Sequence, residues 1–134
     1  MIKGLAHACF NTRDLDRIVR FYTEGLGLSV AFEFRNEKNE RTGVYIKLGN
    51  RSFLEFFLGD LPAPDAFKTP YKHICLEVDD LAASVAEFRA HGVKMTDPML
   101  GSDHSWQAWT ADPDGNAIEF HQYTPESWQT PHLA

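Results

Sequence analysis

The sequence is poor in cysteine, in long apolar runs and in positive charge. Its two cysteines, Cys9 and Cys75, are too few and too far apart for a disulfide framework or a paired-cysteine zinc clip, and both are expected to be small buried thiols. Apolar stretches such as Phe56-Phe57-Leu58 fall far short of the roughly 20 residues that cross a bilayer, so no membrane-spanning segment is expected. Thirteen Lys plus Arg stand against 19 Asp plus Glu, a formal net charge of −6. That balance repels polyphosphate, and no basic run is interleaved with aromatics, which argues against nucleic acid as a partner. Residues 1–10 carry one Lys and alternate like a strand, without the apolar stretch and small-residue cleavage site of a secretory signal. A cytoplasmic location is the expectation.

What is present is the composition of a folded globular protein. Of the 134 residues, 43% are hydrophobic and 24% charged, with ten phenylalanines. A chain of about 150 residues buries roughly two-thirds of its unfolded surface, so this length suits one domain or two small fused modules. The second arrangement is written into the chain as a repeat. His7-Ala8-Cys9-Phe10 runs into Asp14-Leu15, and 66 residues later His73-Ile74-Cys75-Leu76 runs into Asp80-Leu81. In each copy an alternating, strand-like segment (4–11 and 72–78) precedes an Asp and an apolar set at helical spacing. The first set is Leu15, Ile18, Val19, Tyr22 and Leu26; the second is Leu81, Val85 and Phe88. Each helix is expected to close near glycine, at Gly25 or Gly27 and at Gly92.

Further strands are predicted at 28–34, 42–48 and 52–58, the last two joined by Gly49-Asn50 as a tight hairpin. The second half offers a short strand near 93–95, then 105–110 and 116–122 joined by Asp112-Pro113-Asp114-Gly115, strong turn chemistry. The plan is βαβββ twice: modules at 2–58 and 71–123, a Pro-punctuated linker at 59–70, and a polar tail at 124–134, expected to be draped or frayed.

Four polar residues do not fit an ordinary half-buried sheet. Glu55 lies in Phe53-Leu54-Glu55-Phe56-Phe57, with Phe53 and Phe57 as its same-face neighbours. A carboxylate there costs several kcal/mol unless paired or bound to a cation, about 1–3 kcal/mol even for a neutral polar group. Glu119 is similar, between Ile118 and Phe120, with Ala117 and His121 on its own face. Each half thus has one His on its first strand and one Glu on its last, 48 residues apart for His7 and Glu55 and 46 for His73 and Glu119. Duplication brings equivalent positions together around a pseudo-two-fold axis. Two imidazoles and two carboxylates then converge, a set suited to a divalent ion of the Mn, Fe, Co, Ni or Zn group, with two −1 ligands neutralising the +2 charge. A buried His/Glu hydrogen-bond network is the rival reading. Of the other polar and aromatic residues, Cys9 and Asn11 share the face of His7. Tyr45 is placed to donate a hydrogen bond or to pack, and His104, Trp106, Trp109 and His121 are candidates to line the cavity mouth.

These residues resemble the vicinal oxygen chelate superfamily (glyoxalase, bleomycin resistance and dioxygenase proteins), and within it metal-dependent members such as glyoxalase I (lactoylglutathione lyase) and methylmalonyl-CoA epimerase. The resemblance covers about residues 2–123. It rests on His7 with Asp14-Leu15, Phe21-Tyr22 and Leu26-Gly27-Leu28; on Phe53-Leu54-Glu55; on His73 with Val78-Asp79-Asp80-Leu81; and on Asp112-Pro113-Asp114-Gly115-Asn116 leading into Ile118-Glu119. It implies an α+β, glyoxalase-like fold over 1–134, two βαβββ modules in tandem forming a curved mixed sheet around a metal site. It also implies a homodimer in which ligands come from one chain or from two. One divalent ion (Zn, Ni, Co or Mn) per site would be held by His7, Glu55, His73 and Glu119. The implied substrate is a small molecule with vicinal oxygens, and the implied reaction is proton transfer alpha to a carbonyl through a metal-bound enediolate. Glu119 would be the base and Glu55 the complementary ligand or acid. Glu55 speaks against the three-ligand His/His/Glu dioxygenase pattern, and the full ligand set against a binding-only resistance protein.

Glyoxalase I enzymes hold glutathione with groups that include an Arg four residues after the first ligand and an Asn four after the second. This chain has Asn11 and Gly59 there. The bidentate clamp is missing, which argues against glutathione hemithioacetal and keeps an epimerase of an acyl-CoA or sugar-like carbonyl compound in view. Arg13, Arg35 and Arg41 are the candidates to replace it.

Overall fold

The structure, a computed structural model, describes residues 1, 4–61 and 71–133. It divides into two compact units, Met1–Lys68 and Thr69–Ala134, each with, among the described residues, a four-stranded sheet and one α-helix. The architecture is the glyoxalase-like α+β fold of two tandem modules. The expected linker at 59–70 lies outside the described residues except for 59–61. No helix among the described residues is long and apolar enough to cross a membrane.

Unit 1 runs β1 (His7–Thr12), α1 (Leu15–Arg20), a π-helical turn (Phe21–Gly25), β2 (Ser29–Arg35), β3 (Arg41–Leu48) and β4 (Ser52–Leu58). The strand order is β1-β4-β3-β2; β1 pairs parallel with β4 and the other pairs are antiparallel. Asp14 caps α1, its Oδ1 accepting from Arg17 N at 3.0 Å, a contact typically worth about 1 kcal/mol. The predicted continuous helix through Leu26 is not regular. Ile18, Tyr22 and Leu26 recur every four residues, slightly slower than the 3.6-residue period of an α-helix. A wider turn, with Leu26 N bonding Phe21 O at 3.1 Å, takes up that drift, and all three side chains stay buried. Gly27, with φ +74°, then reverses the chain. The helix covers the sheet face that carries Val44, Ile46, Leu54 and Phe56, all 0–1% exposed; Tyr22 lies against Phe56 with ring centroids 5.1 Å apart.

Unit 2 repeats the plan: β5 (Ile74–Glu77), α2 (Leu81–Ala90), β6 (Met99–Leu100), β7 (Trp106–Ala111) and β8 (Ala117–Gln122), in the order β5-β8-β7-β6 with β5 parallel to β8. Asp80 caps α2 through Oδ1 and Ala83 N, 2.9 Å. Leu81, Val85 and Phe88 pack on Ala108, Ile118 and Phe120.

Three local expectations are corrected. The hairpin between β3 and β4 has a three-residue loop, 49–51, because the last ladder pair is Leu48 with Ser52, and only Gly49 takes a positive φ there. Residues 93–95 are not a strand. Val93 is buried, and Lys94 O and Thr96 Oγ1 bond irregularly to β7, to Thr110 Oγ1 and Trp109 N. A ladder starts only after Pro98, whose ring restricts Asp97 before it and which has no N–H to give. The tail is stitched down rather than frayed. Ser127 Oγ, 2% exposed, accepts from Thr124 N at 2.8 Å and meets Ser105 Oγ at 3.0 Å, while Gln129 Nε2 donates to Asp103 Oδ2 at 2.6 Å.

Candidate metal centre

In each sheet the face away from the helix carries the candidate Glu and its neighbours, and strand register decides which of them meet. On β1 and β4, His7 pairs with Phe53 and Cys9 with Glu55. Residues opposite each other share a face, so His7 and Glu55 are diagonal neighbours, two residues apart along the strands. Their side chains close that diagonal: His7 Nε2 lies 3.2 Å from Glu55 Oε2. Glu55 is only 8% exposed. From β3, Tyr45 stands opposite Glu55, stacks on Phe32 at 4.5 Å and sets its hydroxyl 3.3 Å from His7 Nδ1. A partner on Nδ1 holds the ring with Nε2 turned to the carboxylate, the outer-sphere arrangement typical of ligating histidines. Desolvation and then the negative charge of Glu55 push the Tyr45 phenol above its usual range.

Unit 2 repeats this diagonal. His73 immediately precedes β5, whose first residue, Ile74, pairs with Ile118, and His73 Nε2 reaches Glu119 Oε2 at 3.1 Å. Glu119 is 7% exposed. Trp109 stands opposite it and meets the His73 ring edge-on, centroids 4.9 Å apart. A further difference separates the halves: the second oxygen of Glu119, Oε1, lies 2.8 Å from Nε2 of His121, itself buried. The residue 64 positions earlier, the same distance that separates Glu119 from Glu55, is Phe57. Sequence placed His121 on the face of Glu119 but not bonded to it; two-residue strand spacing was the available signal.

The pairs fit a divalent ion by donor type and by spacing. Ligand atoms about 2.1 Å from a metal lie about 3.0 Å apart at right angles and about 3.4 Å apart at the tetrahedral angle. The observed 3.2 and 3.1 Å fall between these values. The four residues singled out in the sequence are thus brought together two by two, one imidazole with one carboxylate in each unit. A second grouping, Cys75, Glu119 and His121, which shares Glu119 with the His73 pair, also has its donor atoms within 4.8 Å of one another.

Other candidates fall into place around them. Both cysteines are exposed, not buried, because alternation puts them on the ligand face, opposite Glu55 and Glu119, and not on the helix face. Desolvation of the thiol, then the charge of Glu119, nevertheless pushes Cys75 up to about 12, and desolvation followed by Glu55 raises Cys9. Trp106 pairs with Gln122 on the opposite face from Glu119, and His104 lies beside Trp128 of the tail. Asn11 and Gly59 are neighbours: a Cβ added at Gly59 would sit 3.0 Å from Asn11 Oδ1. Arg35 is held by Glu33, Arg41 by Glu33 and Asp16, and Arg13 points to Leu61 O.

Known proteins share the sequence pattern and the fold. The sequence pattern of the Glyoxalase/Bleomycin resistance protein/Dioxygenase superfamily matches residues 4–120. A lactoylglutathione lyase of Haemophilus influenzae is 30% identical over 122 residues, 87% of this chain and 90% of that protein. A glyoxalase family protein from Enterococcus faecalis superposes with a TM-score of 0.73 at 26% identity, covering 89% of this chain and 97% of that one. A bleomycin resistance determinant encoded on transposon Tn5 superposes with a TM-score of 0.68 at 25% identity, covering 90% of this chain and 98% of that one.

Proposed function

Since the chain belongs to the Glyoxalase/Bleomycin resistance protein/Dioxygenase superfamily, we propose that it is a metal-dependent lyase or isomerase of the glyoxalase I type, moving a proton next to a carbonyl. The observation that carries this reading is the matched pair: in both units an imidazole Nε2 stands 3.1–3.2 Å from a nearly buried carboxylate at the same diagonal of the repeat. His7, Glu55, His73 and Glu119 would hold one zinc, nickel, cobalt or manganese ion, two ligands from each unit, in a cytoplasmic homodimer. When bound, such an ion polarises the adjacent oxygens of a substrate and stabilises the negative charge that develops as the neighbouring C–H bond breaks.

The chain's own groups supply the rest. Glu119 takes the proton from carbon and returns it to the neighbouring carbon in an isomerisation, whereas in an epimerisation Glu55 as the acid gives a proton to the opposite face of the same carbon. Glu55 supplies the complementary acid or ligand. His7, braced by Tyr45, and His73, braced by Trp109, stay fixed as ligands. Phe53 and Phe57 beside Glu55 keep its surroundings apolar, which strengthens electrostatic interactions there.

Asn11 against Gly59 supports a substrate other than glutathione hemithioacetal, because both positions expected to clamp a glutathione carboxylate are changed together. The engaged Arg35 and Arg41 offer no ready replacement. An epimerase of an acyl-CoA or sugar-like carbonyl compound uses the same proton chemistry. A binding-only protein is the reading of another class, favoured by the likeness to the Tn5 resistance determinant. Reconstitution with nickel, cobalt, zinc or manganese in deuterated water, with ketoacids, ketoses, acyl-CoAs and hemithioacetals as probes, separates them. The proposal expects metal-dependent deuterium incorporation that Glu55→Gln and Glu119→Gln abolish. No exchange with any probe would sink the enzyme reading.

A further inference from the structure

Glu119 serves two imidazoles with two oxygens: Oε2 faces His73 and Oε1 faces His121. The ion proposed above needs only the first. Around the second, Cys75 stands opposite Glu119 in the β5–β8 ladder, and the Cys75 sulfur, a Glu119 oxygen and a His121 nitrogen lie within 4.8 Å of one another. Thiol, imidazole and carboxylate are the donor types that zinc and its softer congeners collect. Glu119 and His121 are buried and Cys75 is exposed, so two fixed donors stand beside one with an open approach. Glu77 and Asp103 add to the negative field at the sulfur. Nor is the grouping a by-product of duplication, since unit 1 has Phe57 where unit 2 has His121 and so lacks the second nitrogen.

We propose that Cys75, Glu119 and His121 form a second cation position, contained within unit 2, that takes a thiophilic divalent ion of the zinc and cadmium class. Loading it releases the Cys75 thiol proton to solvent. His121 binds through Nε2 in the tautomer that carries its proton on Nδ1, giving up its hydrogen bond to Glu119. The position shares Glu119 with the ion proposed above but requires neither His7 nor Glu55, so the two proposals stand or fall separately.

Cobalt(II) tests it directly, because a cobalt–thiolate bond gives a near-ultraviolet charge-transfer band that nitrogen and oxygen ligands do not. The metal-free full chain is titrated with cobalt, and bound equivalents are measured by equilibrium dialysis. The expected result is a thiolate band in the wild type and in Cys9→Ser, retained in the His7→Ala/Glu55→Gln double variant. Cys75→Ser and His121→Phe should each lose the band and one bound equivalent. His121→Gln, which keeps polarity at the site but lacks the ring nitrogen, checks that the loss is not misfolding; far-ultraviolet circular dichroism is read on every variant. No band in the saturated wild type, a band that survives Cys75→Ser, or a band indifferent to both His121 changes would each overturn the proposal. Deuterium exchange persisting in a wild type without the band would leave the enzyme reading intact. A band with no exchange by any probe would do the reverse.

Discussion

Glu119→Gln separates a metal site from a structural hydrogen-bond network. In the metal-free chain Glu119 lies 3.1 Å from His73 Nε2 and 2.8 Å from His121 Nε2. An amide of the same shape satisfies both contacts: its oxygen accepts from one imidazole N–H, and its NH2 donates to the bare nitrogen of the other. What is lost is charge assistance, the difference between a charged hydrogen bond at about 1.5–3 kcal/mol and a neutral one at about 1 kcal/mol, set against relief of a carboxylate that is 7% exposed. The net change in metal-free stability should therefore stay within about 1 kcal/mol. At this chain length that is about 4 °C in Tm. With the ion present the two proteins diverge. A ligand at 100 times its Kd stabilises the folded state by about 2.7 kcal/mol, about 11 °C by the same conversion, and the variant lacks the carboxylate proposed as an anionic ligand. Thermal unfolding of both proteins, with chelator and then with zinc, is the assay. A metal-binding role for Glu119 is excluded if zinc raises both proteins equally, or if the variant loses more than about 3 kcal/mol without metal, the signature of a network built for stability.

Four further outcomes test the framework. Phe56→Ala, at a side chain 0% exposed between Phe10 and Tyr22, should cost about 3–5 kcal/mol by urea unfolding; a loss under about 1 kcal/mol contradicts the packing described. Asp80→Ala removes the bond to Ala83 N and should cost about 1 kcal/mol, with thermal unfolding as the measure. Ser127→Ala strands the N–H of Thr124 and should cost about 1–3 kcal/mol; an unchanged midpoint means the tail is not docked. For Cys75, the metal-free thiol is raised to about 12, so folding keeps it protonated and its contribution to stability is full below the unfolded value near 9 and lost as pH climbs toward 12. Iodoacetamide should accordingly label it slowly at pH 8 and faster at every step up to about pH 11, and a plateau by pH 9 would contradict the shift.

The fold was largely legible because alternation and repeat spacing are properties of the chain itself. The helix face follows from Leu15, Ile18 and Tyr22, the ligand face from His7, Cys9 and Glu55, and β4 occupies 52–58 as predicted. Signals carried by two or three residues were weaker. Strand β6 is Met99–Leu100, too short for a pattern, and its placement depends on Pro98 and on bonds from β7 that no local rule contains. The widened turn at Phe21–Gly25 comes from fitting Tyr22 and Leu26 to a sheet built later in the chain. Cys9 and Cys75 were expected inside on the average habit of cysteine, although the alternation that exposes His7 also exposes Cys9. Parity was the better guide.

Register ties the candidate site to the core. His7 reaches Glu55 because β1 pairs parallel with β4 so that His7 faces Phe53 and the carboxylate follows two residues on. A slip of one residue would turn His7 toward the helix and expose Phe10 and Thr12 to the ligand face. The 48-residue and 46-residue spacings of the two His/Glu pairs therefore produce the same diagonal: what differs between the halves is the length of the connections, which the ladders do not contain. A one-residue insertion inside β1 should abolish both metal binding and cooperative unfolding, whereas an insertion in the loop at 36–40 should leave both. If the strand insertion removed only metal binding, the imidazole and the core would not share a register, and the matched diagonals would lose their physical basis.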